Sequence, residues 1–301
     1  MSTPNAIQKP SIGWIGLGKM GSPIVVNLLK AGYEVSVFDT DPTRAGELAA
    51  HGARPAPDIA ALAASAQVVF SIIPDDSVLI KVALGSQGVI SNLSRGAVYV
   101  DMSTVSPAVS VRVSDEAKEK GVGYIAAPVS GSTVLAEKAQ LTVFTSGPRA
   151  AFDTVLPIFE AISAKQYYVG EDQQARYLKL AINHLVGSTA VLLAEALTLG
   201  KKGGLDWDEM LTVIGDSVAA SPLLKYKLEP LKQRNFKAAF SSRQMLKDMS
   251  LVVEAGEAAG VPMAAAALVR QQFADYVGAD GAELDFFSIV RAVELSAGLD
   301  N

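Results

Sequence analysis

With 301 residues, 50% of them hydrophobic and 19% charged, the chain has the make-up of a folded globular protein and exceeds the usual ~100–200 residues of one domain, so two domains are expected. Its net charge of -5 argues against a protein that coats nucleic acid. The absence of cysteine excludes disulfides, thiolate metal sites and thiol nucleophiles, and fits a reducing, cytoplasmic setting.

Residues 1–10 lack the apolar core of a signal sequence and read as a short disordered leader containing Pro4, Gln8, Lys9 and Pro10. Residues 12–17 form an apolar run that enters a glycine-rich turn; residues 20–29 carry helical spacing, and residues 34–38 read as a second strand. The alternation continues with strands over 68–73, 97–100, 123–126 and 141–145, separated by helices such as 77–84 and 107–120. This pattern predicts an α/β domain of Rossmann type over 11–170, a doubly wound and mostly parallel sheet covered on both faces.

After about Gly170 the strand signals stop. Apolar-periodic segments over 173–203, 207–214, 242–260 and 263–277 predict an all-helical domain over 171–301. The helix through Lys179 should exceed 25 residues, about 40 Å at 1.5 Å per residue, and is expected to join the two domains. Residues 180–200 are apolar enough to suggest a membrane span, but Asn183, His184 and Glu195 interrupt them. A bilayer penalises such groups heavily, so a buried helix is expected, with no membrane partner.

The turn Gly16-Leu17-Gly18-Lys19-Met20-Gly21 is a G-x-G-x-x-G match, a weak signal in isolation. Here it follows a predicted strand and opens a predicted helix, the arrangement in which helix-start N–H groups meet a pyrophosphate. Gly16 permits the turn, Gly18 lets backbone approach phosphate, and Gly21 lets helix pack on strand. Asp39 ends the second strand about 20 residues on, where a carboxylate accepts hydrogen bonds from adenosine ribose hydroxyls. Its charge repels a 2′-phosphate, so NAD is favoured over NADP. As a turn residue in Asp-Thr-Asp-Pro, Asp39 also has a purely structural reading. Thr40 occupies the place where a phosphate-binding arginine usually stands, while Arg44 lies five residues beyond Asp39.

Two histidines and no cysteine leave few groups that exchange protons near neutral pH. His51, in Ala-Ala-His-Gly, reads as a cap or surface residue. His184 reads as a core histidine satisfied by one hydrogen bond. Lys179 sits in Tyr177-Leu178-Lys179-Leu180-Ala181-Ile182-Asn183 among apolar neighbours. If buried, its pKa falls toward neutrality, which suits an acid/base acting on an alcohol or carbonyl; the alternative is a lysine that snorkels to the surface. Asn183, one helical turn on, shares its face.

Four separated blocks then agree in order with one family: Gly16 to Pro23; Asp101-Met102-Ser103-Thr104-Val105-Ser106-Pro107; Pro128-Val129-Ser130-Gly131; and Lys179 with Asn183, followed by Lys247-Asp248. The chain resembles the β-hydroxyacid dehydrogenases, the group of 3-hydroxyisobutyrate dehydrogenase and tartronate semialdehyde reductase, over nearly its whole length. The resemblance implies Lys179 as catalytic acid/base with Asn183 beside it. It also implies Ser130 and Gly131 on the substrate carboxylate, Thr104 near the nicotinamide, Lys247 closing over cofactor and substrate, and Phe240 as an aromatic wall of the pocket. The segment Ile72-Ile73-Pro74 resembles the loop that lines the cofactor. The departures fall in the substrate region. Ala126 stands where the family usually has aspartate, Ser132 where it has glycine, and Gln173 and Ala175 where it has two further glycines. A serine at 132 fills space and adds a hydrogen-bonding group near any substrate.

The resulting expectation is an oxidoreductase that moves hydride between NAD and a small 3-hydroxy acid, as a cytoplasmic homodimer or homotetramer without nucleic-acid partners. Two alternatives stand beside it. One is an NADP-dependent semialdehyde or imine reductase of the same fold, the imine version being disfavoured by the lysine; the other is a non-catalytic dinucleotide-binding regulator, which needs the glycine turn but not Lys179, Asn183 and Lys247 together.

Overall fold

The computed structural model describes residues 9–299, so the expected leader falls, up to residue 8, outside the described residues. The chain divides into two compact units, one running to Lys179 and the other from Leu180 onward. That division lies inside the long helix, whereas the sequence places it before the helix, at 170/171.

The first unit alternates strands and helices: β1 (Ile12–Ile15), α1 (Gly21–Lys30), β2 (Val35–Phe38), α2 (Pro42–Ala49), β3 (Arg54–Pro55), α3 (Ile59–Ser65), β4 (Val68–Ser71), α4 (Asp76–Ala83), α5 (Val89–Asn92), β5 (Val98–Asp101), α6 (Pro107–Lys120) and β6 (Gly123–Ala126). It continues with β7 (Val129–Ser130), α7 (Thr133–Glu137), β8 (Leu141–Ser146), α8 (Arg149–Glu160) and β9 (Ser163–Gly170). The strands form one sheet in the order β3-β2-β1-β4-β5-β6-β8-β7, with β9 on β8. β3 through β6 run parallel, and β8 runs antiparallel to β6 and β7.

The strand order reverses between β1 and β4, and a crevice outside the carboxyl ends of the strands at such a reversal is where open α/β sheets bind ligands. β1, β4 and β5 are buried at every position, as strands covered on both faces must be. Along each strand, alternate residues serve opposite faces. Trp14, Phe70 and Val100 enter one apolar cluster, where Trp14 stacks on Phe70 at 5.3 Å, while Ile15, Val69 and Tyr99 enter the other.

The helix α9 (Gln174–Lys202) starts in the first unit and continues into the second, which adds α10 (Trp207–Asp216), α11 (Pro222–Lys232), α12 (Ser242–Ala259), α13 (Ala264–Tyr276) and α14 (Val290–Ser296). Leu197, Met249 and Phe273 form its fully buried centre. Buried carboxylates here are answered by cations, Glu294 by Lys201 at 3.0 Å and Arg234 at 2.7 Å, and Asp285 by Lys227 at 2.7 Å. By length and composition alone α9 is long and apolar enough to cross a membrane. It is not the wholly buried helix the sequence suggests, because Leu185, Leu192 and Leu199 on one of its sides are exposed.

The glycine turn makes two opposite demands on its residues. A Cβ at Gly21 would stand 2.0 Å from the carbonyl oxygen of Gly16, and one at Gly16 would stand 2.2 Å from that of Ile72, whereas one at Gly18 would meet nothing within 4 Å. Gly21→Ala is therefore expected to lower stability by ~1–3 kcal/mol through overpacking. Gly18→Ala should leave the ligand-free fold within about 0.5 kcal/mol of wild type. Urea midpoints of the two variants check this contrast.

Candidate active site

The turn after β1 has the features of an anion cradle. Gly16 adopts φ +94°, its N–H donates to the Phe38 carbonyl at 3.0 Å, and its own carbonyl accepts from Trp14 Nε1 at 3.0 Å. These bonds fix the turn after β1 against the end of β2 and against Trp14. Lys19 is exposed and Met20 half-buried at the start of α1, where the Ser22 N–H donates to the Gly18 carbonyl at 3.1 Å. The open space over Gly18 is where a pyrophosphate can approach backbone, so the residues present fit a dinucleotide.

Asp39 directly follows β2. Its Oδ2 accepts from the Leu17 N–H at 2.7 Å and its Oδ1 from the Asp41 N–H at 2.9 Å, so it ties the glycine turn to the end of β2. Each oxygen keeps a second acceptor position for a ribose hydroxyl. Arg44 lies 3.6 Å from Asp39 and 3.3 Å from Asp41, close enough to temper the carboxylate's charge.

Behind the turn, on one face of the sheet, stands a buried polar network that the sequence reading did not assemble. Period-two alternation places Tyr99 with Asp101 and Tyr124 with Ala126 on that face, and Ser71 lies in register with Asp101. Asp101 Oδ1 accepts from Ser71 Oγ at 2.6 Å and from Ser103 Oγ at 2.7 Å. Its Oδ2 accepts from the Arg176 guanidinium at 2.6 Å. Ser103 Oγ in turn accepts from the Ile73 N–H at 2.9 Å, so the candidate cofactor loop Ile73-Pro74 hangs from the same group. Arg176 also donates to the Ser103 carbonyl at 2.6 Å, to Tyr124 at 2.9 Å and to Ser110 at 3.1 Å.

Burial opposes the charge on Arg176, but Tyr124 and Asp101 more than offset it and hold its pKa above the ordinary guanidinium value. Burial, and then the charge of Asp101, push the Tyr99 phenol well above its ordinary 10.0. Burial raises Tyr124 as well, against the opposing pull of Arg176. A charged residue three positions before Lys179, inside an apolar helix, was the signal available in the sequence for this network.

Lys179 is half-buried on α9, in the turn that follows Arg176. In the same unit Thr104 is half-buried, next to Ser103. Ser130 ends β7, and Gly131 follows at φ +141°, where a side chain would run into Leu141 at 2.7 Å. Ser132 precedes α7, and its side chain makes no capping bond to that helix. Ala126 is buried in register with Asp101, so the aspartate usual in the family would set a second carboxylate beside the first. Ala175 is buried, with its N–H on Ser146 Oγ at 3.1 Å, and Gln173 is half-buried.

In the second unit, Asn183 Nδ2 donates to Asp248 Oδ2 at 2.5 Å and Lys247 Nζ lies 2.8 Å from Asp248 Oδ1, so Asp248 holds both candidate residues. Asn183 stands on α9 one turn after Lys179, leaving its side-chain oxygen outside that bond. Phe240 packs edge-on to Phe286 at 5.8 Å. His184 lies 3.3 Å from Ser188 Oγ, a local helix contact, and His51 is exposed in the turn after α2.

Residues 11–170 match the family described as the NAD binding domain of 6-phosphogluconate dehydrogenase, and residues 174–293 that described as the NAD-binding of NADP-dependent 3-hydroxyisobutyrate dehydrogenase. The chain is 36% identical to 2-(hydroxymethyl)glutarate dehydrogenase of Eubacterium barkeri, across 87% of each chain. It is 29% identical to glyoxylate/succinic semialdehyde reductase 1 of Arabidopsis thaliana, across 95% of this chain and 99% of that one. Among solved structures, it resembles the 3-hydroxyisobutyrate dehydrogenase of Mycobacterium tuberculosis determined with L-serine. That match has TM-score 0.86 and 26% identity and covers 95% of this chain and 99% of the other.

The buried phenols of Tyr99 and Tyr124 contribute to the behaviour of the fold in alkali. The native state holds these protons more tightly than the unfolded chain, so their contribution is fully present below pH 10.0 and is lost as pH rises above it. Melting temperatures from about pH 8 to 11 should be level at first and then fall, and Tyr99→Phe should reduce the fall while costing about 1 kcal/mol at neutral pH for the 2.8 Å bond between its hydroxyl and Ser71 Oγ.

Proposed function

This chain belongs to the β-hydroxyacid dehydrogenase family, and from that premise we propose that it transfers hydride between NAD and the carbinol carbon of a small 3-hydroxy acid, with Lys179 as acid/base. The observation that carries this reading is the place of Lys179. It follows Arg176 on α9, and Arg176 is bonded to the Ser103 carbonyl, immediately before Thr104. The turn bearing the lysine is thus tied to the carboxyl end of the sheet, the edge that also carries the glycine turn.

The dinucleotide, held by Gly16, Leu17, Gly18, Lys19, Met20, Gly21 and Asp39 and flanked by Ile73, Pro74 and Thr104, supplies the hydride acceptor. In the oxidising direction, neutral Lys179 removes the hydroxyl proton, and in the reducing direction its ammonium returns a proton to the carbonyl oxygen. Ser130 and Gly131 hold the carboxylate, so the carbinol is presented in one orientation. Asn183 is fixed by Asp248 with its carbonyl oxygen available to the substrate, Lys247 closes over cofactor and substrate, and Phe240 supplies an apolar wall. The names of the relatives pair a carboxylate with a hydroxymethyl group or an aldehyde, which supports a small carboxylic acid. Ser132 adds a hydroxyl that favours a substrate with a further polar group.

Asp39 supports NAD. A second reading, NADP, is favoured by Arg44, which sits 3.6 Å from Asp39 and could meet a 2′-phosphate. A cytoplasmic homo-oligomer is also part of the proposal, supported by the lack of cysteine and by the exposed leucines of α9.

A panel of 3-hydroxy acids assayed with each dinucleotide should show higher kcat/KM with NAD, and a strong preference for NADP would overturn the reading of Asp39. Lys179→Ala should lower kcat about 10²–10⁴-fold while NAD still binds. Turnover near wild type in that variant would remove Lys179 from the chemistry.

A further inference from the structure

We infer that Arg176 is a positioning residue for hydride transfer: paired with Asp101, it locks the first turn of α9 to the loops after β4 and β5 and thereby sets where Lys179 stands. The inference rests on the proposed role of Lys179.

The geometry is specific. Arg176 is 1% exposed and Asp101 is fully buried. One guanidinium nitrogen serves the Ser103 carbonyl, another serves both the Asp101 carboxylate and the Tyr124 hydroxyl, and the third serves Ser110. A planar fork with five donors can make these contacts together, while a lysine's single ammonium cannot span them.

The Asp101 carboxylate then joins three segments. Ser71 brings the end of β4, Ser103 brings the loop after β5 and through it the Ile73 N–H, and Arg176 brings the helix. Both loops belong to the candidate cofactor wall, so one buried ion pair couples that wall to the turn carrying the acid/base. A buried ion pair contributes little net stability relative to an apolar replacement, whereas removing one partner leaves an uncompensated charge. What such a pair contributes is placement, since a displacement of about 1 Å at a reacting group can lower a rate about 100-fold. Ala126 fits the same scheme. It stands beside Asp101 without a second carboxylate, leaving the guanidinium one buried charge to answer.

The test compares wild type, Arg176→Lys, the neutral pair Arg176→Gln with Asp101→Asn, Lys179→Ala, and the neutral pair combined with Lys179→Ala. The neutral pair strands no buried charge, so it is the variant expected to fold, as thermal melting checks. It should lower kcat about 100-fold while KM for the hydroxy acid and the dissociation constant for NAD, read by fluorescence, stay within about threefold. Hydrogen exchange in the first turn of α9 should accelerate in the ligand-free protein. Arg176→Lys, which keeps the charge and loses the fork, should fall between the two. Added to Lys179→Ala, the neutral pair should change kcat by less than about threefold, because two residues acting as one unit are not additive.

A neutral pair with near-wild-type kcat would overturn the inference. So would the same loss of about 100-fold in the Lys179→Ala background, which would mark Arg176 as generally structural. If Lys179→Ala itself turns over like wild type, the reading of Lys179 fails, and this inference fails with it, by a visibly different result.

Discussion

A carboxylate with no access to water must be met by a cation or by several donors, and Asp101 is met by both: Ser71 and Ser103 on one oxygen, Arg176 on the other. This constraint organises the carboxyl edge of the sheet. The ends of β4 and β5 and the start of α9 come from distant parts of the chain, and backbone hydrogen bonding in the sheet does not by itself fix the loops that follow the strands. Side-chain bonds to one buried group do. The tyrosines behind it complete a layer in which nearly every polar atom is answered from within the protein, as a buried network must be.

The other end of the arrangement is the turn after β1, which is governed by backbone sterics. Gly21 packs on the Gly16 carbonyl and Gly16 on that of Ile72, so α1 begins as close to β1 and β4 as backbone allows. The order of the sheet places this turn at the reversal between β1 and β4, beside the loops that Asp101 holds. The turn proposed for phosphate and the loops proposed to flank the hydride transfer thus share one rim, the first shaped by absent side chains and the second by charged ones.

The sheet was legible because short continuous apolar runs, the mark of strands covered on both faces, alternate with segments of 3.6-residue periodicity along the first half of the chain, and β6 and α6 fall at the expected positions. Three elements gave weaker signals for physical reasons. α8 and α11 carry internal prolines, Pro157 and Pro230, which blur the helical pattern, and β9 is only partly buried, so its apolar alternation is incomplete. Within the site, the glycine turn, Asp39 and Lys179 announce themselves through local context. Arg176 shows locally only as a charge inside an apolar helix and Asp101 only as the head of a motif block, since their meaning lies in a pairing across 75 residues that no local window contains. Asp248 is similar: it is the partner of Asn183 65 positions away, and its own surroundings give no hint of that.

The chemistry itself is read most directly by following an isotope. With NAD and a 3-hydroxy acid carrying deuterium on its carbinol carbon, the protein should yield reduced dinucleotide bearing that deuterium at C4 of the nicotinamide, together with the corresponding aldehyde acid from a primary carbinol or keto acid from a secondary one. Tight dinucleotide binding with no deuterium transferred from any 3-hydroxy acid of the panel would contradict a hydroxyacid dehydrogenase and leave a protein that only binds the dinucleotide.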